Sequence, residues 1–248
     1  MPNRREGQPL ISIITVVLDR AEVLPRTLQS INEQSFRDFE HIVVDGGSSD
    51  GTFALLESSP VVTRWVSEPD NGIFDAMNKG AALAQGRWLY FIGSDDVLDN
   101  ANVLALVAER LKSPDTVYYG NVVLASSGRC YNGEFTRFRL ANSNVCHQAV
   151  FYPRRVFSRY RYNTKYRTVA DWVLNMQCFA DRSLRNEHVP LTICRYDDVS
   201  GQSSLQSDED FRRDYPTLLR QNFPAWIVAW YSALLLGGRA LRRLGFWT

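Results

Sequence analysis

Apolar and polar residues follow one another along the first half of the chain in blocks of two lengths. Residues 10–18, LISIITVVL, form a near-continuous apolar run rich in β-branched side chains, which is typical of a parallel strand covered on both faces. The next block, residues 19–34, has apolar side chains at helical spacing, with Asp19 as a candidate cap and Pro25 in the first turn. The pattern therefore predicts a strand followed by a helix.

The same order repeats up to about residue 111. Further strands are predicted at 41–44, 61–66 and 87–92. Further helices are predicted at 52–58, from Asp70 or Asn71 onwards, and at 101–111. The helix that begins near Asp70 is expected to bury Ile73, Met77, Gly80, Ala81 and Ala84. Four strands separated by three helices and short polar turns predict an α/β fold with a mainly parallel sheet and right-handed crossovers.

The regular alternation is lost from about Asp115 onwards, where short strands and isolated helices replace it. Strands are predicted at 116–124, at 149–152 and within 184–196. Helices are predicted at 170–180 and 208–220. We therefore expect a flexible N-terminus at 1–9, one domain at 10–220 made of two halves (10–112 and 113–220), and a separate C-terminal segment at 221–248.

Composition limits the classes of partner. The chain has 248 residues, 45% of them hydrophobic and 22% charged, which suits one folded α/β domain with an ample core. With 28 basic and 27 acidic residues there is no overall field to attract nucleic acid, and no nucleic-acid partner is expected. Four scattered cysteines suit a reducing compartment, and the polar start of the chain does not read as a secretion signal.

Acidic side chains follow all four strands of the first half. They are Asp19, Asp45, Glu68 with Asp70, and the pair Asp95 and Asp96. In open α/β sheets ligands bind at the carboxyl ends of the strands, so these acids predict a ligand site at that edge. The alternative is that single acids serve as turn residues or helix caps, which is common for Asp.

An acidic edge repels a phosphate unless a cation lies between them. Three histidines and no cysteine cluster argue against a zinc-type site, whereas carboxylates suit Mg²⁺ or Mn²⁺ with further oxygens from water and a diphosphate. Such an ion would neutralise charge on a leaving diphosphate. Lys79 is a candidate second cation for the same phosphates, although a lysine near a helix end is more often simply solvated.

Three strings, in this order and spacing, carry a resemblance to a known family: ISIITVVLDRAEVLPRTLQSI, HIVVDGGSSDGT and SEPDNGIFDAMNKGAALAQGRWLYFIGSDD. They resemble the bacterial inverting nucleotide-sugar glycosyltransferases of family 2, continuously from about residue 10 to 98 and more weakly to about 204. The resemblance implies the GT-A fold, a Rossmann-like sandwich with helices on both faces of the central sheet and a smaller, mixed acceptor side.

The resemblance also implies roles for the residues around the nucleotide. Thr15, Val17 and Asp19 would lie beside it, Asp45 would accept a hydrogen bond from the base, which is uracil in much of the family, and Asp50 would support that loop. The Asp-x-Asp metal motif of the family falls on positions 93–95. Because the first of these positions is Gly, only Asp95 and the following Asp96 remain as metal ligands, with Asp95 favoured.

Two residues of the second half are implied as catalytic or substrate contacts. Inversion at a sugar carbon requires a base on the face opposite the leaving diphosphate, and Asp171 matches the family's base, although Ala170 stands where a Glu is usual. The alternative for Asp171 is a helix cap. His147 resembles a cleft-facing His of one branch of the family and would contact phosphate or acceptor, while a lone His is more often structural.

Two segments suggest a surface partner. Residues 153–167 mix basic and aromatic side chains, which suits a lipid-phosphate or acceptor surface, a plain exposed loop or, less well, single-stranded nucleic acid. The C-terminal segment combines Trp226, Ile227, Trp230, Leu234 and Leu235 with Arg239, Arg242 and Arg243. Such a helix suits the membrane boundary; packing on the domain, a dimer interface and a membrane span are the alternatives.

Together these features predict a metal-dependent inverting glycosyltransferase. Its expected donor is a nucleoside diphosphate sugar, with UDP favoured, and its expected acceptor is the hydroxyl of a glycan, such as a lipid-linked surface polysaccharide intermediate, at the cytoplasmic face of the cell membrane. Two alternatives stay open at this point: a nucleotidyltransferase that makes sugar nucleotides, and a non-catalytic sugar-nucleotide or glycan binder.

Overall fold

The computed structural model describes residues 7–131, 133–199 and 208–243, with side chains up to residue 234. The strands are β1 Ile11–Val17, β2 Phe39–Asp45, β3 Arg64–Ser67, β4 Trp88–Gly93, β5 Val97–Leu98, β6 Thr116–Leu124, β7 Cys130–Tyr131, β8 Val150–Pro153 and β9 Arg185–Tyr196. The helices are α1 Leu24–Asn32, α2 Thr52–Ser58, α3 Ile73–Leu83, α4 Val103–Ala108, α5 Arg137–Leu140, α6 Val156–Arg159, α7 Ala170–Ala180, α8 Glu209–Asn222 and α9 Ala225–Arg243.

The strands of the described chain join in one sheet, in the order β3-β2-β1-β4-β8-β6-β9-β5, with β7 paired to β6. Strands β1 to β4 are parallel, as predicted. Strand β8 runs antiparallel to both β4 and β6, and β6 and β9 are parallel to each other. The predicted α/β fold is therefore confirmed, and the second half of the chain extends the same sheet.

Two hydrophobic clusters cover the two faces of the sheet. Every residue of β1 is buried, because apolar side chains alternate toward both faces of a sheet that is covered on each side. Ile14 and Val16 join the cluster formed with α3, α7 and α8. Ile11, Ile13 and Val17 join the cluster formed with α1 and α4. The sheet is thus rigid from both sides up to the carboxyl ends of its strands.

The start of α1 differs from the prediction. The helix begins at Leu24 with Val23 as its N-cap, whereas Asp19 was expected to cap it. Asp19 instead has a φ of 50°, a left-handed conformation that places it in the loop before the helix, and its side chain binds the backbone of a neighbouring loop. Asp adopts this conformation more readily than most residues because its short side chain can bond locally.

The start of α3 also differs. Its N-cap is Gly72, without a side-chain cap, so the predicted caps Asp70 and Asn71 are wrong. The buried face contains Phe74 where Ile73 was expected, and Ile73 is exposed. The other residues of the predicted face, Met77, Gly80, Ala81 and Ala84, are buried as expected. The helix packs closely on β1, since a side-chain carbon added at Gly80 would lie 2.5 Å from Ile14 Cγ2.

The second half of the chain agrees with its predicted elements. Helix α7 spans the predicted residues, Ala170–Ala180, and the region within 184–196 forms one long strand, β9. The last described helix, α9, packs on α8 through the fully buried Ile227 and through Tyr231, whose ring lies 5.2 Å from that of Tyr215. Parts of three predicted segments lie outside the described residues, namely 1–6 of the N-terminus, 200–207 of the second half and 244–248 of the C-terminal segment. The boundaries of the domain and of its halves stay a prediction.

Candidate active site

The carboxyl ends of the first four strands meet at one edge of the sheet. The register pairs Val17 with Asp45 and Asp45 with Ser67, and it pairs Val16 with Gly93. The loops that carry the acidic residues therefore leave the sheet side by side, because parallel neighbours in register end at the same level. This is the edge at which an open α/β sheet offers a crevice to a ligand.

Asp45 is fully buried at the end of β2. Its carboxylate accepts hydrogen bonds from the Ser48 backbone N–H at 3.1 to 3.2 Å and from the hydroxyls of Ser48 and Ser67, the latter at 2.6 Å. The carboxylate thus holds the turn after β2 against the end of β3. A contact between Asp45 and a base stays a prediction, and it would use the lone pairs that these donors leave.

Asp19 and Asp50 tie two loops together. Asp19 Oδ1 accepts a hydrogen bond from the Ser49 backbone N–H at 2.8 Å, and Asp50 Oδ2 accepts one from the Ala21 N–H at 2.7 Å. Asp50 Oδ1 also accepts from the Thr52 hydroxyl at 2.6 Å, and this bond is the main reason that the pKa of Asp50 is lowered. The β1–α1 and β2–α2 loops therefore form one cross-linked unit beside the crevice.

Thr15 and Val17 lie inside the sheet. Both are buried, and the Thr15 hydroxyl lies 3.0 Å from Nε2 of His41 on the neighbouring strand. Burial lowers the pKa of His41 to about 3, so its ring is neutral at pH 7. A nucleotide contact by Thr15 or Val17 stays a prediction, and in this conformation the hydroxyl of Thr15 faces His41.

Lys79 lies on α3 and reaches back to the loop after β3. Its ammonium donates to the Pro69 carbonyl at 2.9 Å and lies 2.9 Å from Glu68 Oε1 and 3.8 Å from Asp75 Oδ2. The hydrogen bond with Glu68 is the largest of the effects that raise the pKa of Lys79. These contacts give Lys79 a role in holding the loop, and a phosphate contact stays a prediction.

Asp95 and Asp96 follow β4 and differ in their surroundings. Asp96 is buried; its Oδ2 accepts from the Gly93 N–H at 3.2 Å and its Oδ1 from the Asp197 N–H at 2.9 Å. Burial, followed by the charge of Asp95, raises the pKa of Asp96 to about 6. Asp95 is half-buried, and burial raises its pKa while Arg20 and His147 act in the opposite direction. Asp96 therefore joins the turn to the end of β9, and Asp95 is the more open carboxylate.

A side chain at position 93 would collide with both carboxylates. A carbon added to Gly93 would lie 2.6 Å from Asp96 Oδ2 and 2.9 Å from Asp95 Oδ1. Real side-chain carbons do not approach other atoms so closely, so a larger residue at position 93 would require the carboxylates of Asp95 and Asp96 to move.

A cavity of about 220 Å³ opens at Asp95. Charged side chains from three parts of the fold line it together with apolar residues of β5 and β6, namely Arg26, Asp95, Val97, Val123, Leu124, Ala125, Gly128, Arg195 and Asp197. The cavity thus places two guanidinium groups near Asp95. Guanidinium groups bind phosphate oxygens well, but the carboxylates of Asp95 and Asp197 line the same cavity, and Arg195 pairs with Asp99 at 3.2 Å.

The donor atoms near Asp95 fit a hard cation that takes most of its ligands from elsewhere. Within the described ranges, no group of three His, Cys, Asp or Glu residues is arranged to hold a metal ion by itself. Mg²⁺ in phosphate-binding sites needs only one or two protein carboxylates and completes its shell with water and phosphate oxygens. Asp95 can supply such an oxygen directly, whereas both oxygens of Asp96 already accept backbone N–H groups.

Asp171 lies in the first turn of α7 and is buried. Its Oδ1 accepts from the Trp172 N–H at 2.9 Å, and its Oδ2 accepts from Asn144 Nδ2 at 2.7 Å and lies 3.3 Å from His147 Nδ1. The N-cap of α7 is Val169, so Asp171 does not hold the cap position that its alternative interpretation required. The structure brings Asp171 and His147 together, although 24 residues separate them.

His147 connects this pair to the carboxylates after β4. It begins the 3₁₀ turn His147–Ala149, which is held on β4 by a hydrogen bond of 3.0 Å from the Tyr90 hydroxyl to the Gln148 carbonyl. The next residue, Gln148, hydrogen-bonds the side chain of Asp96, and a protonated His147 would lower the pKa values of Asp95 and Asp96 that burial raises. Asp171, His147, Asp95 and Asp96 thus belong to one site, at the junction of the two halves of the sheet.

A chain of two amides, the buried Asn175 and the partly buried Asn144, orients Asp171. The Tyr152 hydroxyl donates to Asn175 Oδ1 at 2.7 Å, Asn175 Nδ2 donates to Asn144 Oδ1 at 2.9 Å, and Asn144 donates to Asp171. The sequence interpretation missed both asparagines. Asn144 lies three residues before His147, but only the fold shows that its amide reaches a carboxylate 27 residues away.

We expect Asn144→Ala to lower kcat about tenfold or more and to change the KM for donor little. The variant removes a hydrogen bond to a charged carboxylate, worth about 1.5–3 kcal/mol, and about 1.4 kcal/mol corresponds to tenfold in rate. Steady-state kinetics measure the effect. The matched control is Asn142→Ala, because Asn142 is exposed and its side chain donates to Phe138 in its own helix segment. Equal kinetics for the two variants would contradict the orienting role.

Comparison with known proteins now identifies the family. The model of the family described as Glycosyl transferase family 2 matches residues 12–187. This chain belongs to glycosyl transferase family 2. The match covers the four parallel strands, the carboxylates after β4 and the start of β9, so glycosyl transfer is the activity that the family membership supports.

The chain is similar to curated relatives over most of its length. It is 37% identical over 231 residues to a PGL/p-HBAD biosynthesis glycosyltransferase of Mycobacterium bovis (strain BCG / Pasteur 1173P2), with 89% of each chain covered. It is 33% identical over 93 residues to the putative teichuronic acid biosynthesis glycosyltransferase TuaG of Bacillus subtilis (strain 168), with 36% of this chain and 37% of the relative covered.

Solved structures share the fold. TarS 1–349 of S. aureus in complex with UDP-GlcNAc has a TM-score of 0.66 at 17% identity, with 84% of this chain and 65% of that chain covered. The mannosyltransferase PcManGT from Pyrobaculum calidifontis in complex with GDP-Man and Mn²⁺ has a TM-score of 0.63 at 16% identity, with 95% and 81% covered. The α/β fold of this family 2 protein is therefore that of known glycosyltransferases, as predicted.

Proposed function

We propose that this family 2 protein is an inverting glycosyltransferase that moves a sugar from a nucleoside diphosphate to an acceptor hydroxyl. One observation carries the proposal: Asp171, from the second half of the chain, lies 3.3 Å from His147, and the turn that begins at His147 is bonded to β4 and to Asp96 through Gln148. A base and a leaving-group site that approach a sugar from different elements are what an inverting displacement requires.

In the proposed reaction Asp171 accepts the proton of the acceptor hydroxyl. The acceptor oxygen then bonds to the anomeric carbon, and the bond from that carbon to the diphosphate oxygen breaks, so that the diphosphate leaves with the electron pair and the configuration inverts. Asn144 and the Trp172 N–H hold the carboxylate in place. His147 lies between the base and the leaving-group side, and it is proposed to contact phosphate or acceptor.

The donor is proposed to lie across the edge formed by the β1–α1 and β2–α2 loops. Asp45 is the proposed partner of the nucleobase of the donor, and Asp19 and Asp50 hold the loops around that nucleobase. Asp95 and Arg26, which line the same cavity, are proposed to lie next to the diphosphate. UDP is the favoured nucleotide. A bound Mg²⁺ or Mn²⁺, held by Asp95 and to a lesser extent by Asp96, would supply positive charge to the leaving diphosphate.

The proposed acceptor is a lipid-linked glycan at the cytoplasmic face of the cell membrane, as in the biosynthesis of a surface polysaccharide. Two observations support it: the relatives carry names from PGL/p-HBAD and teichuronic acid biosynthesis, and the 221–248 segment has the aromatic and basic composition of an interfacial helix. None of the helices in the described part of the chain is both long and apolar enough to cross a bilayer.

A thermal-shift experiment tests the donor and the metal together. At a ligand concentration 100 times Kd, binding adds about 2.7 kcal/mol of stability, which raises the melting temperature of a chain of this size by about 5–10 °C. We expect this shift for a UDP-sugar with Mn²⁺ and a much smaller one with chelator. Uridine monophosphate is the control, because without a diphosphate its shift should not depend on Mn²⁺.

Turnover decides between transfer and binding alone. With Mn²⁺ and a membrane extract as acceptor, release of UDP from the preferred UDP-sugar is the expected result. A clear shift with no turnover under these conditions would instead favour a non-catalytic sugar-nucleotide binder, the alternative suggested by the replacement of two family acids with Gly93 and Ala170. The absence of any shift with nucleoside diphosphates and their sugars would contradict the proposed donor class.

A further inference from the structure

Four large apolar side chains from two helices form one exposed patch, here called the aromatic surface. They are Phe138 on α5 and Trp226, Trp230 and Leu234 on α9, with exposed fractions of 37%, 60%, 39% and 52%. The Phe138 ring stacks on Trp226 at 6.0 Å and meets Trp230 edge-on at 4.6 Å. Exposed apolar groups that are scattered need no explanation, but a contiguous patch of this kind marks an interaction site.

The aromatic surface is the face of α9 that the domain does not use. Ile227 is fully buried, and Val228 and Tyr231 pack against the core cluster that also contains α8. The two tryptophans and Leu234 are spaced by four residues and therefore form a stripe on the other side of the helix. The packing alternative of the sequence interpretation is thus right for one face of α9 and leaves the tryptophan face without a covering element among the described residues.

The sequence from Tyr215 to the end of α9 is basic, whereas the acidic residues of α8, among them Asp210 and Asp214, come before it. From Tyr215 to the end of α9 at Arg243 the sequence contains no acidic residue and four arginines, Arg220, Arg239, Arg242 and Arg243. Phe138 is flanked in sequence by Arg137 and Arg139. Since the whole chain carries a formal charge of only +1, this concentration of arginines is a local feature and complements an anionic surface.

Hydrogen bonds connect the segment that carries Phe138 with the segment around Asp171, the proposed catalytic base. Trp172 Nε1 donates to the carbonyl of Leu140, the last residue of α5, at 2.8 Å, and the Tyr215 hydroxyl of α8 donates to the next carbonyl, that of Ala141. The same loop then carries Asn144, which holds Asp171. The element that presents Phe138 outward is therefore the one that positions the catalytic carboxylate.

We propose that the aromatic surface docks the enzyme on an anionic lipid bilayer and holds the cleft of Asp171 next to the headgroups. Tryptophans with neighbouring arginines partition to the headgroup boundary, where the rings lie in the apolar region and the guanidinium groups meet lipid phosphates. A bilayer fits the combination of exposed tryptophans and a basic sequence, because tryptophan is the residue type that partitions to the headgroup boundary. The role in catalysis rests on the proposed function; the docking itself does not.

Co-sedimentation of the full chain with vesicles tests the docking. We expect binding to vesicles that contain phosphatidylglycerol, weaker binding to phosphatidylcholine alone, and weaker binding at high salt. The variant Trp226→Ser/Trp230→Ser is expected to lower the partition coefficient at least about tenfold, which corresponds to about 1.4 kcal/mol. Phe138→Ser, on a separate helix, is expected to lower it in the same direction. Leu106→Ser is the matched control, because Leu106 is an exposed apolar residue of α4.

Three outcomes would contradict the docking of the aromatic surface on an anionic bilayer. Unchanged vesicle binding by both the double variant and Phe138→Ser, each with a wild-type melting temperature, would overturn the proposal. Equal binding to both lipid compositions would overturn the anionic partner. A dimer of the wild-type protein that the double variant dissociates, without vesicle binding, would assign the surface to a second copy and overturn lipid docking.

Failure of the docking and failure of the proposed function are distinguishable. Asp171→Asn is expected to bind vesicles as the wild type does, since Asp171 is buried and lies outside the aromatic surface. The double variant is expected to keep the thermal shift with UDP-sugar and Mn²⁺. Vesicle binding without any donor shift would support the docking and contradict the proposed donor, and a donor shift without vesicle binding would do the reverse.

Discussion

Asp171→Asn is expected to lower kcat for sugar transfer at least about a hundredfold, the usual scale for the loss of a positioned base. The amide cannot accept the acceptor's proton, whereas its oxygen can still accept the Trp172 N–H bond that Asp171 Oδ1 accepts now. The variant should therefore fold. Its melting temperature should fall, because an amide NH2 cannot accept the hydrogen bond from Asn144 and the loss of such a bond costs about 1–3 kcal/mol. Its thermal shift with the donor should match that of the wild type, and stopped assays of product formation measure the loss in kcat.

The control for this prediction is an Asp→Asn change of the same chemistry on the surface of the second half. Asp210 lies on α8 with 44% of its side chain exposed, and its carboxylate pairs with Arg213 in its own helix. Asp210→Asn should retain wild-type kcat. If Asp171→Asn turned over at nearly the wild-type rate, Asp171 would have no part in the chemistry, and the base would have to be sought elsewhere in the cleft.

Asp95→Asn is expected to lower kcat/KM at least about a hundredfold and to remove the stimulation by Mn²⁺. Asp95 is the half-buried carboxylate at the cavity, and a neutral amide is a poor ligand for a hard cation. Because Asp95 makes fewer structural contacts than its neighbour, the melting temperature without ligand should stay near that of the wild type. Kinetics at several Mn²⁺ concentrations measure the effect.

Asp96→Asn provides the contrast, because Asp96 holds two backbone N–H groups across the turn and β9. An amide keeps one acceptor oxygen, so this variant should lose stability by about 1–3 kcal/mol and should retain part of its Mn²⁺ response. Asp115→Asn is a distant control, where the carboxylate is exposed and pairs with Arg155. A full Mn²⁺ response in Asp95→Asn would assign the metal to other ligands.

The strands and helices of the first half were predictable because their apolar spacing reports burial directly. Residues 10–18 form a near-continuous apolar run, as a strand covered on both faces requires, and every position of β1 is buried. Strands β2 and β4 follow this pattern over most of their length, whereas β3 is only partly buried and begins at Arg64 instead of the predicted residue 61. The starts of the helices were less predictable. An acid before a helix can cap it or bind another loop, and Asp19 does the latter because the turn after β2 brings the Ser49 N–H to it.

The sequence could predict only those residues of the candidate site that lie at strand ends or in motifs of the family. The acids after β2 and β4 share an edge because parallel register requires it, and that could be read from the sequence. The amides that orient Asp171 could not, since Asn144 and Asn175 come from different elements and meet only after the second half folds. Likewise, Phe138 joins the tryptophans of α9 through packing that no local pattern indicates.

The crowding at Gly93 has a consequence for efforts to redesign the enzyme. The volume that a third ligand carboxylate would fill is already taken by an oxygen of Asp96. Gly93→Asp alone would displace Asp96 Oδ2 from the N–H of residue 93 and so disturb the same carboxylate's Oδ1, which accepts the Asp197 N–H after β9. A tighter cation site would therefore have to be obtained by exchange, with an acid introduced at 93 and a smaller, neutral residue at 96.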